Sequence, residues 1–303
     1  MKLRDMLNEG IERLEAAGVE NAAFDARQLL MRSYGKTSAE LLMELDRPLC
    51  PGATGGREPA EITECPGDCG GRITFDSLIA RRAKREPLQH ILGSAWFMGM
   101  EFRVGPKVLI PRQDTEVLVE TVLEREKDKD ISVLDMCTGS GCIAAALKKL
   151  GGYSEVCASD IDEDALSIAR DNAAENGVKI SFILSDIFEG AGSLKFDVIV
   201  SNPPYIRSDV IATLEPEVRE HDPKKALDGG PDGLKFYREI IENAGAHLKE
   251  GGRVYFEIGF DQAEAVSALL LDNGFTGIEV IKDLAGLDRV VLGRRRLCAE
   301  LTK

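Results

Sequence analysis

Apolar residues recur at helical spacing over the first fifty positions: Leu3, Met6, Leu7, Ile11 and Leu14, then Ala26, Leu29 and Leu30, then Leu41, Leu42 and Leu45. Each set draws one apolar stripe along a helix, and stripes in succession predict a small helical domain. Between Cys50 and Arg72 the pattern breaks, with six glycines and three prolines. Glycine costs backbone entropy and proline removes an N–H, so this segment reads as an exposed loop rather than a packed helix. A further helix is predicted over Phe75–Arg85. From Gln89 to Ile110 short apolar and aromatic runs are punctuated by Gly93, Gly99 and Gly105, the pattern of hairpin strands.

From Ile131 the texture becomes an alternation. Strands are predicted at Ser132–Met136, Glu155–Ser159, Lys179–Leu184, Phe196–Ser201 and Arg253–Ile258, with closing strands near Thr276–Ile281 and Arg289–Leu292. Helices are predicted at Cys142–Leu150, Glu163–Asn176, Gly233–Leu248 and Gln262–Asn273. Alternating strands and helices imply βαβ units, hence an α/β domain with a mostly parallel sheet. Such a sheet binds ligands beyond the carboxyl ends of its strands, and the chemistry is expected there.

Composition narrows the function classes. The chain has 303 residues, 44% of them hydrophobic, with 38 basic and 52 acidic side chains for a net charge of −14. That apolar content excludes a mainly disordered chain, and the acidic balance argues against direct binding of nucleic acid. No apolar run reaches the ~18 residues of a membrane span, and the start mixes Lys2, Arg4, Asp5 and Glu9, so a cytoplasmic protein with no membrane partner is expected. Cys137, Cys142 and Cys157 lie in apolar runs and read as small buried hydrophobes. Of Cys50, Cys65 and Cys69, the last two have ligand-like spacing, but a fourth ligand is not evident and no metal is expected. Between Leu78 and Arg112 seven basic residues outnumber Glu86 and Glu101, a stretch that reads as a solvated face. The three histidines, His90, His221 and His247, are scattered, and no catalytic role is assigned to them.

The first predicted α/β strand runs into Cys137-Thr138-Gly139-Ser140-Gly141 and then directly into a helix. Glycines there let a ligand approach the backbone, and the helix amino end offers unpaired N–H groups. Asp160 ends the next strand, 21 positions after Gly139, where a carboxylate can accept from two ribose hydroxyls. Asp186 and Ile187 follow the third strand, one able to accept from an exocyclic amine and the other to pack on a ring. These features indicate a nucleoside-bearing cofactor without naming it. Gly139-Ser140-Gly141-Cys142-Ile143-Ala144 also fits G-x-G-x-x-A, which keeps NAD open, and a bare strand-to-helix turn is the bland alternative.

The fourth strand runs into Asn202-Pro203-Pro204-Tyr205. Pro203 holds Asn202 in extended conformations and both prolines fix φ, so the turn is a rigid ledge. On it the Asn202 side-chain oxygen and the Pro203 carbonyl can accept from one –NH₂ group, with Tyr205 as a flat wall. An amide nitrogen is a poor nucleophile, and two acceptors on its N–H bonds return electron density to it and aim it. Such an arrangement suits methyl transfer from S-adenosylmethionine and has no use in hydride transfer.

These motifs resemble the S-adenosylmethionine-dependent methyltransferases with an Asn-Pro-Pro-Tyr sequence. Pro87-Leu88-Gln89-His90-Ile91-Leu92-Gly93, Trp96-Phe97, Val108 to Glu116, and Ala226-Leu227-Asp228-Gly229-Gly230 narrow the resemblance to the peptide chain release factor glutamine methyltransferases (HemK/PrmC-like). The resemblance implies a Rossmann-like fold with a seven-stranded sheet, a helical amino-terminal domain and a β-hairpin connection. It implies methylation of the glutamine of the Gly-Gly-Gln loop of release factors, yielding S-adenosylhomocysteine. It places the methionine or adenosine moiety near Cys137–Gly141, ribose at Asp160, adenine at Asp186 and Ile187, and the substrate at Asn202, Pro203, Pro204 and Tyr205 with Arg112 beside it. Residues 1–86 would form the recognition domain with an insertion at 50–72, 87–112 the hairpin linker, and 113–303 the catalytic domain. Cys137 stands where the family usually has a glycine. The rival readings are a ribosomal-protein glutamine methyltransferase, a nucleic-acid adenine N6-methyltransferase, a NAD-dependent oxidoreductase and a catalytically silent binding module.

Overall fold

The structure, a computed structural model, describes residues 2–46 and 69–296. The described residues form two compact units: one comprises those up to Gly93 together with Pro216–His221, and the other comprises Ser94–Glu215 and those from Asp222 onward.

The first unit is helical, with α1 (Leu3–Ala16), α2 (Ala22–Tyr34), α3 (Ser38–Glu44), α4 (Cys69–Ala83) and α5 (Leu88–Leu92). The apolar stripes meet as their spacing demands: Leu3, Met6, Leu7 and Leu14 share a core with Ala26, Leu29, Leu30, Phe75 and Ile79. Leu41 and Leu45 join them, while Leu42 is exposed. The α3 amino end is closed by a capping box in which Thr37 accepts from the Glu40 N–H and the Glu40 carboxylate accepts from Thr37. A buried charge cluster adds a polar tie. Arg82 reaches Asp25 at 2.7 Å and Glu217 at 2.9 Å, and Arg85 reaches Glu217 at 2.6 Å.

Two expectations need correction here. Helix α4 begins at Cys69 rather than Phe75, so Cys69–Arg72 are helical despite the Gly70-Gly71 pair. The reason is close packing: a Cβ on Gly71 would lie 2.6 Å from the Tyr34 ring, so only glycine lets α4 approach α2 there. The rest of the proposed loop, with Cys50 and Cys65, lies outside the described residues. The stretch from Gln89 to Leu92 is helix α5 rather than strand, because Leu88 and Ile91, three apart, both turn into the helical core.

The second unit opens with the hairpin β1 (Ser94–Phe97) and β2 (Met100–Arg103). Its turn residues Met98 and Gly99 both have positive φ, +50° and +74°, as a tight two-residue hairpin requires. After α6 (Asp114–Arg125) come β3 (Ser132–Met136), α7 (Cys142–Ala146), β4 (Glu155–Asp160), α8 (Glu163–Glu175), β5 (Ser181–Leu184) and β6 (Phe196–Ser201). A long connection carrying the short helix α9 (Pro216–His221) leads to α10 (Lys235–His247), β7 (Leu248–Glu257), α11 (Ala263–Asp272), β8 (Phe275–Lys282) and β9 (Asp288–Arg295). The seven strands lie in the order β5-β4-β3-β6-β7-β9-β8. The first five are parallel, and β9 runs antiparallel to both of its neighbours. This is the expected Rossmann-like methyltransferase sheet.

Strand side chains alternate between two cores, which is why the central strands read as continuous apolar runs. Val133, Val198, Val200, Tyr255, Val290 and Leu292 face one core with α6 and α7. Leu134, Ile199, Val254, Phe256 and Val291 face the other with α10 and α11. Helix α6 is an element the alternation did not predict, although Leu118, Val119 and Val122 are fully buried at helical spacing. The predicted helix over Cys142–Leu150 ends as an α-helix at Ala146 and continues as a π-helix over Leu147–Gly151, where Gly151 gives way to the Tyr153 ring.

Asn172 in α8 is wholly buried and joins three pieces of backbone. Its side chain donates to the carbonyls of Ser140 and Arg103 at 2.8 and 3.1 Å and accepts from the Arg103 N–H at 2.7 Å. Asn172→Ala leaves the buried Ser140 carbonyl and the part-buried Arg103 groups without this partner, at about 1–3 kcal/mol for a buried group, so a loss of roughly 2–4 kcal/mol is expected. Urea unfolding of variant and parent measures it, and coincident midpoints would refute the role.

Candidate active site

The strand order reverses between β3 and β6, and a cleft of about 500 Å³ opens beyond their carboxyl ends. Cys137, Thr138, Gly139 and Ser140 line it from the turn after β3, Asp160 from β4, Asp186 and Ile187 from the turn after β5, and Asn202 and Pro204 from the turn after β6. Arg112 lines the same cleft. Gly141, Pro203 and Tyr205 are not among its lining residues. Gly141 faces α8 instead: its φ is +80°, and a Cβ would lie 2.9 Å from the Ala169 Cβ. Pro203 is buried. Tyr205, expected as a wall, turns its hydroxyl away to the Glu257 carboxylate at 3.2 Å, which makes it a support of the ledge.

The turn after β3 is held by two carboxylates. Asp135, wholly buried in β3, accepts from the Thr138 hydroxyl at 2.5 Å and from the Ala144 N–H at 3.0 Å, so one oxygen ties the strand end to the first turn of α7. Burial pushes its carboxyl up to about 7, with those two donors pulling the other way. Asp160 accepts from the Gly139 N–H at 2.9 Å and from the Asp162 N–H at 3.0 Å. Burial raises its pKa too, against the same two backbone donors. Gly139 has φ +53° and no atom within 4 Å of where a Cβ would lie, so the backbone itself borders open space. Cys137 and Ile187 adopt the left-handed region without being glycine, at φ +60° and +46°. Strain of this kind, about 1–2 kcal/mol per residue, gathers where a site dictates the backbone path. Burial also raises the Cys137 thiol far above its ordinary pKa, so at neutral pH it is a neutral packing group rather than a nucleophile.

The ledge is fixed from behind. Ser201 donates to the Met136 carbonyl at 2.8 Å, locking β6 to β3 just before Asn202. The Asn202 side-chain NH₂ donates to the Thr115 hydroxyl at 3.3 Å, and its oxygen accepts no hydrogen bond from the described residues. Gln262 donates to the carbonyls of Tyr205 and Gly233 at 3.0 and 3.2 Å. The Ala226–Gly230 motif packs against the same turn: Ile206 donates to the Leu227 carbonyl, Gly229 donates to the Ile206 carbonyl, and a Cβ on Gly229 would lie 2.8 Å from the Tyr205 Cα. Arg112 is held by the buried Asp222 at 2.6 Å. Thr115, Asp135, Glu257 and Gln262 are thus parts of the site that the motif reading does not assign. A buried acid within an apolar strand, true of both Asp135 and Glu257, is the sequence signal that marks two of them.

Gly141→Ala combines a left-handed φ with overlap against α8. It is expected to destabilise the chain by about 2–4 kcal/mol and to lower the melting temperature. An unchanged melting temperature would mean that the turn has room to shift.

Residues 112–215 match the family described as Methyltransferase small domain, and residues 5–54 match the PrmC N-terminal domain. The release factor glutamine methyltransferase of Geobacter sulfurreducens is 42% identical over 281 residues, covering 93% of this chain and 92% of that protein. The Agrobacterium fabrum protein of the same name is 43% identical over 291 residues and 94% of each chain. Among solved structures, a methyltransferase from Pyrococcus furiosus superposes with a TM-score of 0.54 at 20% identity, covering 72% of this chain and 99% of that one, a likeness of fold. With both of these relatives above 40% identity over more than nine-tenths of its length, this chain belongs to the release factor glutamine methyltransferase family.

Proposed function

We propose that the protein transfers the methyl group of S-adenosylmethionine to the side-chain amide nitrogen of the glutamine in the Gly-Gly-Gln motif of peptide chain release factors. One observation carries the reading: Asn202 spends its donor end on Thr115 and keeps its oxygen for the cleft that Asp160 also lines. An oxygen presented on a rigid turn accepts from a substrate –NH₂ without reorganising, which is how a fixed dipole assists a transition state.

The residues suit a nucleoside-bearing donor by their own geometry. Gly139 leaves its cleft side clear, Asp160 offers a carboxylate at the end of β4, and Ile161 and Ile187 add apolar surface to the lining. S-adenosylmethionine, when bound, supplies a methyl carbon on a sulfonium that departs as a neutral thioether. Within this reading Asp160 accepts from the ribose hydroxyls and Asp186 from the adenine amine. Asn202 Oδ1 accepts from the amide –NH₂, returning density to the nitrogen and aiming it. Pro203 and Pro204 keep that acceptor from drifting, since neither φ can turn. No base need act before attack, because the amide nitrogen can lose its proton afterwards. Arg112, anchored by Asp222, stands at the cleft to meet the release factor loop, and the helical unit supplies the larger recognition surface. Among the described residues no helix is long and apolar enough to cross a membrane, and no group of candidate metal ligands occurs.

Incubation with S-adenosylmethionine and a release factor is expected to add one methyl to the glutamine of Gly-Gly-Gln, as read by peptide mass spectrometry. An unmodified release factor beside a methylated ribosomal protein would overturn the substrate assignment. Asn202→Ala is expected to lower kcat by about 10²–10³-fold, the usual cost of one fixed dipole, while leaving affinity for S-adenosylmethionine within a few-fold. For Asp160→Ala, calorimetry should show the reverse emphasis, a weaker cofactor Kd; an unchanged Kd would return Asp160 to a purely structural role.

A further inference from the structure

We infer that the turn after β7 and the β8–β9 turn form an apolar docking surface for the body of the release factor, built of Phe260, Leu284 and Leu287 beside the Asn202 ledge. This deepens the reading above and rests on it. Leu284 is fully exposed, and Phe260 and Leu287 are 63% and 45% exposed. One such residue needs no explanation, but turns are ordinarily built of polar residues, glycine and proline. Here three large apolar side chains gather at one end of the sheet. Glu257 pairs with Val290, and the Ile258 N–H donates to the Arg289 carbonyl at 2.9 Å, so the chain leaving β7 runs beside the chain entering β9. Phe260 follows that bond by two residues and Leu287 precedes it by two. Leu284 shares a turn with Leu287, closed by the Asp283 N–H on the Leu287 carbonyl at 2.8 Å.

Both turns are braced by side chains. The Asp283 carboxylate accepts from the Ala285 and Leu287 N–H groups at 2.9 and 3.0 Å and from the Arg289 guanidinium at 3.0 Å. Gln262 accepts from the Gly259 N–H at 2.9 Å and so closes the turn that carries Phe260. Apolar side chains held out on a fixed backbone lose little further freedom when a partner covers them, which is preorganisation for binding.

The braces also reach the ledge, and this continuity names the occupant. Gln262 donates to the Tyr205 carbonyl at 3.0 Å. Arg289 reaches Asp114 at 3.3 Å, next to the Thr115 that accepts from the Asn202 amide. Strand β7 is the neighbour of β6, about 4.8 Å away, so a protein that seats a glutamine at Asn202 has this surface within reach. The glutamine site and the apolar surface are thereby held at one spacing. Two contacts at a fixed spacing favour a glutamine presented on a folded partner that carries an apolar patch next to it.

Phe260→Ser and Leu284→Ser test the surface at exposed positions, where melting temperature and S-adenosylmethionine Kd should stay parental. Expected is a KM for release factor methylation raised about 10-fold in each and about 30-fold or more in the pair, with kcat within about 3-fold, the scale of an anchor residue in an interface. Phe260→Leu should recover most of the loss. Calorimetry of the release factor against protein saturated with S-adenosylhomocysteine should show a matching rise in Kd. Parental KM and Kd in the paired variant, while the parent methylates the release factor, overturn the docking surface alone. A parent that dimerises in sedimentation equilibrium, with a paired variant that does not, assigns the surface to a second copy and overturns it as well. A parent that methylates no release factor overturns the proposed function, and the occupant with it.

Discussion

The site depends on one topological constraint: β3 and β6 are neighbours in a parallel sheet, yet the helices that follow them leave to opposite faces. Helix α7 packs in the core with Val133 and Val198, and α10 in the core with Leu134 and Ile199. The two departures leave a gap beyond the strand ends, and every loop that carries candidate chemistry opens into it. Register does the fine work. Met136 pairs with Ser201, so the glycine turn and the Asn-Pro-Pro-Tyr ledge begin at the same level of the sheet.

Buried acids convert that gap into a defined surface. Asp135, Asp160 and Glu257 each give up solvation, and the pKa of each is raised by burial. What they gain is control over donors: a strand end and a helix start for Asp135, the tip of a glycine turn for Asp160, the Tyr205 hydroxyl for Glu257. A neutral acceptor could make some of these bonds, but an ionised carboxylate forbids the alternative hydroxyl orientations. The low dielectric that makes them costly also makes them directional.

The charge pattern has a similar resolution. Six of the seven basic residues between Leu78 and Arg112 are engaged in ion pairs: Arg81 with Glu86, Arg82 with Asp25 and Glu217, Arg85 with Glu217, Arg103 with Glu175, Lys107 with Asp164, and Arg112 with Asp222. Arg81, Arg103, Lys107 and Arg112 stay substantially exposed, so most of the stretch is a solvated face neutralised by acids, while Arg82 and Arg85 serve the helical core. Most of these partners are distant in sequence, which is why a count along the chain registers an excess of positive charge that the folded molecule does not carry.

Local pattern by itself determined the helical stripes, the alternation of strands and helices, and the two short motifs that matter most, the glycine turn and Asn202–Tyr205. These are properties of neighbouring residues: periodicity, fixed proline φ, a glycine where φ is positive. The family resemblance was equally legible, because it resides in such motifs. Tertiary structure decided what no spacing encodes. Gly71 looks like a helix breaker until the Tyr34 ring is set against it, and Gly141 belongs to α8 packing rather than to the cleft. Tyr205 supports the ledge instead of lining it, and Thr115, on a helix the alternation did not predict, holds the Asn202 amide from 87 positions away. Orientation of an amide or a hydroxyl depends on partners brought together across the sheet, and only the folded chain brings them together.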